Sequence, residues 1–320
     1  KRAQRRADVQ AAVRRYREAM RAFAPQTNLA VWYARLDIDQ LVGAIEKDRV
    51  TKQDRKAFEA ARRKAESKSS LRALTKLTEV VDGERRFRSE PPLLVRAEDL
   101  LPESGDAVPA LREHIHGLIR GYAGLSDDRR HLFDSYRIVD IARKVVGVGS
   151  VGTRAWVILL LGADGDDPLV LQAKEATTSV LEPYAGASTY EQHGERVVQG
   201  QRLMQAASDI FLGWQRVPAP DGVVRDFYIR QLWDGKGSAD PTTMTPERFT
   251  EYVNACGWTL ARAHARSGDR VAIASYLGGG TVFDDAIADF SAAYADQTEA
   301  DYALLQAAVT DGLIPVETGV

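Results

Sequence analysis

The stretch Val145-Val146-Gly147-Val148-Gly149-Ser150-Val151-Gly152-Thr153-Arg154 carries the chemistry that stands out first in this sequence. Glycines at 147, 149 and 152 fall in the pattern G-x-G-x-x-G, which leaves backbone N–H groups free to cradle phosphate oxygens. A lysine, Lys174, ends the apolar run that begins at Leu169, and two glutamates, Glu191 and Glu195, stand near the start of the next helical stretch. A cation held by a carboxylate beside such a loop is the chemistry of a phosphate site.

Three phosphate-binding loops share these glycines, and the residues C-terminal to them separate the three. A Walker A loop requires Lys before the Ser or Thr that comes after the second glycine. Thr153 stands at the lysine position here, so that reading lacks its charge. A dinucleotide fingerprint requires the glycines to open a helix. The next residues, Ala155 to Leu161, are an unbroken apolar run that stops at Asp164-Gly165-Asp166-Asp167-Pro168, which reads as a buried strand and a turn. A protein-kinase-type loop instead joins two antiparallel strands and leads to a strand ending in a lysine, then a helix with a carboxylate. The order here is loop, strand, turn, strand with Lys174, helix with Glu195, then two more strands. On this reading Gly147, Gly149, Ser150, Gly152, Lys174 and Glu195 are the cofactor-binding residues, ATP is the cofactor, and Arg154 either assists a phosphate or pairs with a nearby Asp. The bland alternative is a tight structural turn with a solvated lysine.

The elements that position these residues fall into three segments. Residues 1–134 read as mainly helical: Val9, Val13, Tyr16, Met20 and Phe23 recur at helical spacing, and Pro25 to Asn28 stop that helix. Further helices are expected over Ile38 to Glu46, Thr51 to Ala65 and Leu111 to Tyr122. Asp82-Gly83 signals a hairpin within Thr78 to Phe87, and Ser89 to Pro109 reads as a loop-rich connection. Residues 135–235 are the β-rich lobe, with strands at Ala155–Leu161, Leu169–Lys174, Phe211–Val217 and Phe227–Leu232. Its helix, Glu191 to Ala207, shows Val197, Gln201, Met204 and Ser208 on one face, with Val198 on its shoulder. Residues 236–320 return to helices: Pro246 to Arg266 with Phe249, Val253, Gly257, Leu260, Ala261 and His264 in register, then Phe283–Ala300 and Tyr302–Val309 beyond Gly278-Gly279-Gly280. The fold class expected is α+β, with a kinase-like antiparallel β lobe flanked by helices.

Composition removes other chemistries. The 320 residues hold 43 Lys and Arg against 45 Asp and Glu, with 44 % apolar content, as in an ordinary globular chain. Cys256 is the lone cysteine, so no internal disulfide forms and a reducing, cytoplasmic setting is expected. The five histidines show no H-x-x-H spacing, so no metal site is expected from them. His264 reads as a packed histidine, Asp269 as a turn or cap residue, and Asp284-Asp285 as acids at a helix start rather than metal ligands. The longest apolar run, Ala155 to Leu161, is far short of the roughly 20 residues that span a bilayer, so no membrane is expected. Residues 1–70 carry 18 Lys and Arg against 9 Asp and Glu. Such a basic arm offers nucleic acid a contact, but the interleaved acids and missing aromatic platform favour a solvated helix face.

The glycine stretch at 145–154, Gln172-Ala173-Lys174-Glu175-Ala176, residues 194–209 and Gly257 to Asp269 together resemble the bacterial family called domain of unknown function 2252, as does Tyr294-Ala295-Asp296-Gln297. The resemblance covers most of the chain. It implies a kinase-like, possibly permuted, fold similar to aminoglycoside-phosphotransferase-like enzymes, with phosphoryl transfer to an unknown small molecule or protein. It also implies an upstream Gly-Asp-x-His-x-x-Asn stretch and an Asn-Asp-Phe-Asp stretch, neither of which occurs here; the near echo is His264 to Asp269. With Lys1 in place of Met, the expectation is an N-terminally truncated member whose Mg²⁺ ligands lie outside this chain, and which binds rather than turns over. The alternatives are a non-catalytic binding or interaction module and, third, nucleic-acid contact through the basic N-terminal helices.

Overall fold

The computed structural model describes residues 2–35, 70–100, 117, 119–145, 147, 152–163, 167–218, 222–232 and 239–316. In chain order its elements are α1 (Arg2–Phe23), α2 (Asn28–Tyr33), α3 (Ser70–Leu77), β1 (Thr78–Val81), β2 (Glu84–Phe87), β3 (Leu94–Arg96), α4 (Asp127–Asp134), β4 (Arg137–Lys144), β5 (Ala155–Leu161), β6 (Pro168–Ala176), α5 (Glu182–Ala185), α6 (His193–Met204), β7 (Gly213–Pro218), β8 (Val224–Gln231), α7 (Pro246–Ser267), α8 (Arg270–Leu277) and α9 (Val282–Thr310). The fold is α+β. The expected helices over 38–46 and 51–65 lie outside the described residues, as does most of 111–122.

The chain divides into two compact units. One comprises Lys1–Lys52, Leu203–Ala206 and Ala239–Val320, and is helical among the described residues. Local chemistry sets its helix ends. Thr27 caps α2 by accepting from the Ala30 N–H, Thr245 caps α7 ahead of Pro246, and Asp269 caps α8 through the N–H groups of Val271 and Ala272. The α1 stripe packs as its spacing predicts, with Met20 and Phe23 buried against Ala261, Ala265, Ala274 and Leu277. Gly257 of α7 lies under α1 so closely that a Cβ there would stand 2.3 Å from the Ala12 carbonyl oxygen. The two C-terminal helical stretches expected from sequence are one helix, α9, because nothing at Asp301 interrupts its backbone ladder.

The second unit, Gln53–Arg202 with Ala207–Ser238, holds the sheet. Its six strands run in the order β3-β4-β5-β6-β8-β7, and every pairing is antiparallel. A separate hairpin, β1–β2, turns at Asp82 and Gly83, both at positive φ as its sequence predicts. The loop-rich stretch from Ser89 contributes one element the spacing does not announce, the short edge strand β3. Strands β5 and β6 are buried on both faces, which is why they read as continuous apolar runs rather than alternating ones. One face, with Ile158, Leu160, Leu171 and Ile229, packs on Phe133 and Tyr122. The other, with Val157, Leu159 and Val170, is covered by Ala73, Leu74 and Leu77 of α3 and by Phe87.

Candidate functional site

The glycine segment is the return between β4 and β5, two antiparallel neighbours. Gly147 (φ 140°) and Gly152 (φ 79°) occupy positive-φ backbone, which other L-residues rarely adopt. At both, an added Cβ would meet no atom within 4 Å, so backbone conformation rather than close packing calls for glycine. Gly149 and Ser150 lie outside the described residues. Arg154, at the end of the segment, donates from its backbone N–H (3.0 Å) and its guanidinium (3.2 Å) to Glu175. Of the two roles open to it, it takes the ion pair.

Lys174 lies on β6 directly opposite Ala155, the first residue of β5 beyond the glycine segment, and opposite Tyr228 of β8 on its other side. The alternation of β6 sets Val170, Gln172 and Lys174 on the α3-covered face. Lys174 is half-buried, and burial, with the positive charge of Arg230, pushes its amine below the usual lysine range. Among the described residues it has no ion-pair partner.

Glu195 stands in the first turn of α6, where its backbone N–H donates to the Gln192 side chain. The start of α6 is fixed elsewhere. Asp226 of β8 accepts the His193 N–H at 2.8 Å and is gripped by Arg216 of β7 at 2.7 and 3.0 Å. Burial opposes charge on Asp226, yet Arg216 and the His193 N–H outweigh it and hold its carboxyl below the ordinary range. Gly194 comes so near β8 that a Cβ would stand 2.2 Å from the Phe227 carbonyl oxygen. The helix therefore buries Gly194 and Val198, the latter on the shoulder of the face its apolar spacing marks, while Val197 and Met204 are not buried. No Lys174–Glu195 ion pair forms among the described residues; Asp226 is the carboxylate that anchors this helix. Arg216 and Asp226 are directly opposite each other in the β7–β8 register, two residues from the Pro218–Val224 pair.

In the helical unit, the other candidates are accounted for by packing. His264 Nδ1 lies 2.8 Å from the Tyr16 hydroxyl, and the rings meet edge to face. Asp269 is the cap of α8. Asp284, almost fully buried, makes a two-point ion pair with Arg17 at 3.0 and 2.8 Å, and Asp285 accepts from Gln10 at 2.6 Å. Among the described residues no group of three His, Cys, Asp or Glu is arranged to hold a metal ion. No helix among them is long and apolar enough to cross a membrane.

A family model described as "Uncharacterized protein conserved in bacteria (DUF2252)" matches residues 1–308. The chain belongs to this family. No curated protein and no solved structure matches it. The DUF2252 match takes in the whole sheet, Gly147 and Gly152, Lys174 and Glu195, and it runs through nearly all of α9.

Proposed function

We propose that the sheet unit binds a nucleoside polyphosphate such as ATP in the manner of a kinase-like β lobe, and that the associated chemistry is phosphoryl transfer to a small-molecule or protein acceptor. The observation that carries this reading is the position of Lys174 across from Ala155, where β5 leaves the glycine segment. A half-buried cation beside a glycine return between antiparallel strands is what a phosphate chain needs. The succession of β4, glycine segment, β5, β6, α6, β7 and β8, in one antiparallel sheet ordered 4-5-6-8-7, supports it further.

Phosphoryl transfer also needs Mg²⁺ and a group that orients the nucleophile. The described residues do not fit that part: no cluster of carboxylates faces the site, and Glu195 does not hold Lys174. No step through a metal is derived for this chain. That observation favours a second reading, in which this polypeptide holds the nucleotide without turning it over.

The test is an ATP titration of the full chain and of Lys174→Ala. A lost charge-assisted contact of about 1.5–3 kcal/mol weakens binding about tenfold or more. Unchanged affinity in the variant, or no ATP binding by the unmodified chain, overturns the assignment. Release of ADP or phosphate from bound ATP separates transfer from binding alone.

A further inference from the structure

Lys174 is one of several cations on the same end of the same sheet face. Lys144 ends β4 with its side chain on that face, since it pairs with Leu94 and follows Ala142, both in the α3-side core. In the register that pairs Arg143 with Trp156, Lys144 falls opposite Ala155, and Ala155 is paired in turn with Lys174. Arg230 of β8 pairs with Gln172, one step along the same face. Between the two lysines the floor is made of Ala142, Ala155 and Val157, all buried and two of them without bulk. Lys144 and Lys174 are therefore two strand spacings apart, roughly 10 Å, across a shallow floor.

These cations are treated differently from others in the unit. Arg86 faces Glu98 at 3.0 Å, Arg225 faces Glu175 at 3.7 Å, and Arg96 lies within 4 Å of Glu98 and Asp99. Lys144, Lys174 and Arg230 have no ion pair among the described residues. Arg230 donates from Nε to the neighbouring Gln231 carbonyl at 3.4 Å. Burial pushes the amines of both lysines down; Lys76 lowers that of Lys144 further, against a pull from Glu90, and Arg230 lowers that of Lys174. Half-buried like charges without an ion-pair partner are unfavourable unless an anion joins them.

We infer that Lys144 and Arg230 contact the anion together with Lys174, so that this face takes a ligand carrying an extended polyphosphate chain rather than a single phosphate. This rests on the reading that the face is a phosphate site, and adds which residues read the length of the chain. Each cation meets a different part of the ligand, and a monophosphate reaches only part of the row.

The experiment is calorimetric titration of the full chain with inorganic tripolyphosphate, pyrophosphate and orthophosphate, alongside ATP. Affinity is expected to rise in the order orthophosphate, pyrophosphate, tripolyphosphate. Lys144→Gln and Arg230→Gln should each weaken tripolyphosphate about tenfold, and Lys144→Arg should retain binding, which separates a lost charge from a lost fold. The inference is overturned if tripolyphosphate binds no tighter than orthophosphate, or if both Gln variants bind it as the unmodified chain does. ATP binding that responds to Lys174→Ala but not to these two variants sinks the inference and leaves the nucleotide reading standing. Tripolyphosphate binding that keeps the expected pattern while ATP fails to bind does the reverse.

Discussion

Asp140 shows what one buried carboxylate does for the sheet unit. An extra residue, Val139, interrupts the β4–β5 register between Ile138 and Asp140. Asp140 there accepts the Phe87 N–H at 2.7 Å and the Ile141 N–H at 2.9 Å, tying the β1–β2 hairpin to the sheet. Burial raises its carboxyl above the ordinary range, and the two backbone N–H groups offset only part of that. A folded-state pKa above the unfolded value means the folded chain holds the proton more tightly. Its contribution is then fully present below the unfolded value, about 3.9, and is lost as pH rises through the raised folded value. Asp140→Ala leaves the buried Phe87 N–H without its acceptor, at a cost of about 1–3 kcal/mol. Urea denaturation across acidic pH should show the gap between the two proteins widening as pH falls towards the unfolded value. A gap that narrows instead would contradict this account. At this scale the sequence is most readable where the partner is near in the chain. Asp269 capping α8 and Asp82-Gly83 turning a hairpin are local chemistry, visible in a few residues. Asp140 and Asp226 take their partners from other strands, so their types and neighbours do not reveal their roles.

Among the elements, glycines set two of the closest approaches, Gly257 in α7 and Gly194 in α6. Gly257 sits in the middle of α7, where Ala would favour a helix by about 0.5–1 kcal/mol. The added Cβ would fall 2.3 Å from the Ala12 carbonyl oxygen, and backbone does not yield as a side-chain tip does. Gly257→Ala should therefore destabilise the helical unit by about 1–3 kcal/mol, read as a lowered thermal midpoint. Gly280→Ala, with nothing within 4 Å, is the control and should be close to neutral. Equal midpoints for the two variants would remove the close-approach argument. The strands were legible because a strand buried on both faces is a short apolar run bounded by turns, and β5 spans the very residues its run marks out. The helix faces were less so. In α7 the pattern includes Gly257 and Ala261, which are buried, but also Leu260, which is half exposed, while it omits Arg262, which is buried and bonds the backbone carbonyls of Trp32, Ala34 and Met204. In α6 the stripe points to Val197 and Met204, while Gly194 is the contact. Periodicity reports which residues avoid water, not which neighbour comes closest. The expected approach of Lys174 to Glu195 depended on how α6 docks, and that is decided by Asp226 and Gly194, two residues no apolar pattern contains.

For the whole chain, the charge distribution bears on one of the competing functions. The formal net charge is −2, yet residues 1–70 carry 18 cationic against 9 acidic residues. A basic helical arm binds nucleic acid by releasing counterions from phosphates, and its free cations set the salt dependence. Three cations of α1 meet acids of α9. Arg2 lies 3.5 Å from Asp296, Arg6 donates to Asp289, and Arg17 is buried with Asp284. The two exposed pairs contribute little to stability, typically less than about 1 kcal/mol each. Their larger effect is to lower the positive charge that α1 offers a polyanion. The chain is accordingly expected to show no salt-dependent binding to a fluorescent DNA or RNA duplex between 50 and 200 mM salt, the range over which six to ten phosphate contacts would cost about 10³–10⁵ in affinity. Asp289→Asn with Asp296→Asn frees Arg6 and Arg2, and is expected to create weak binding that salt abolishes. Tight, steeply salt-dependent binding by the unmodified chain would restore the nucleic-acid reading. Its absence there, with its appearance in the double variant, would show that α9 acids are what keep the basic helix from nucleic acid.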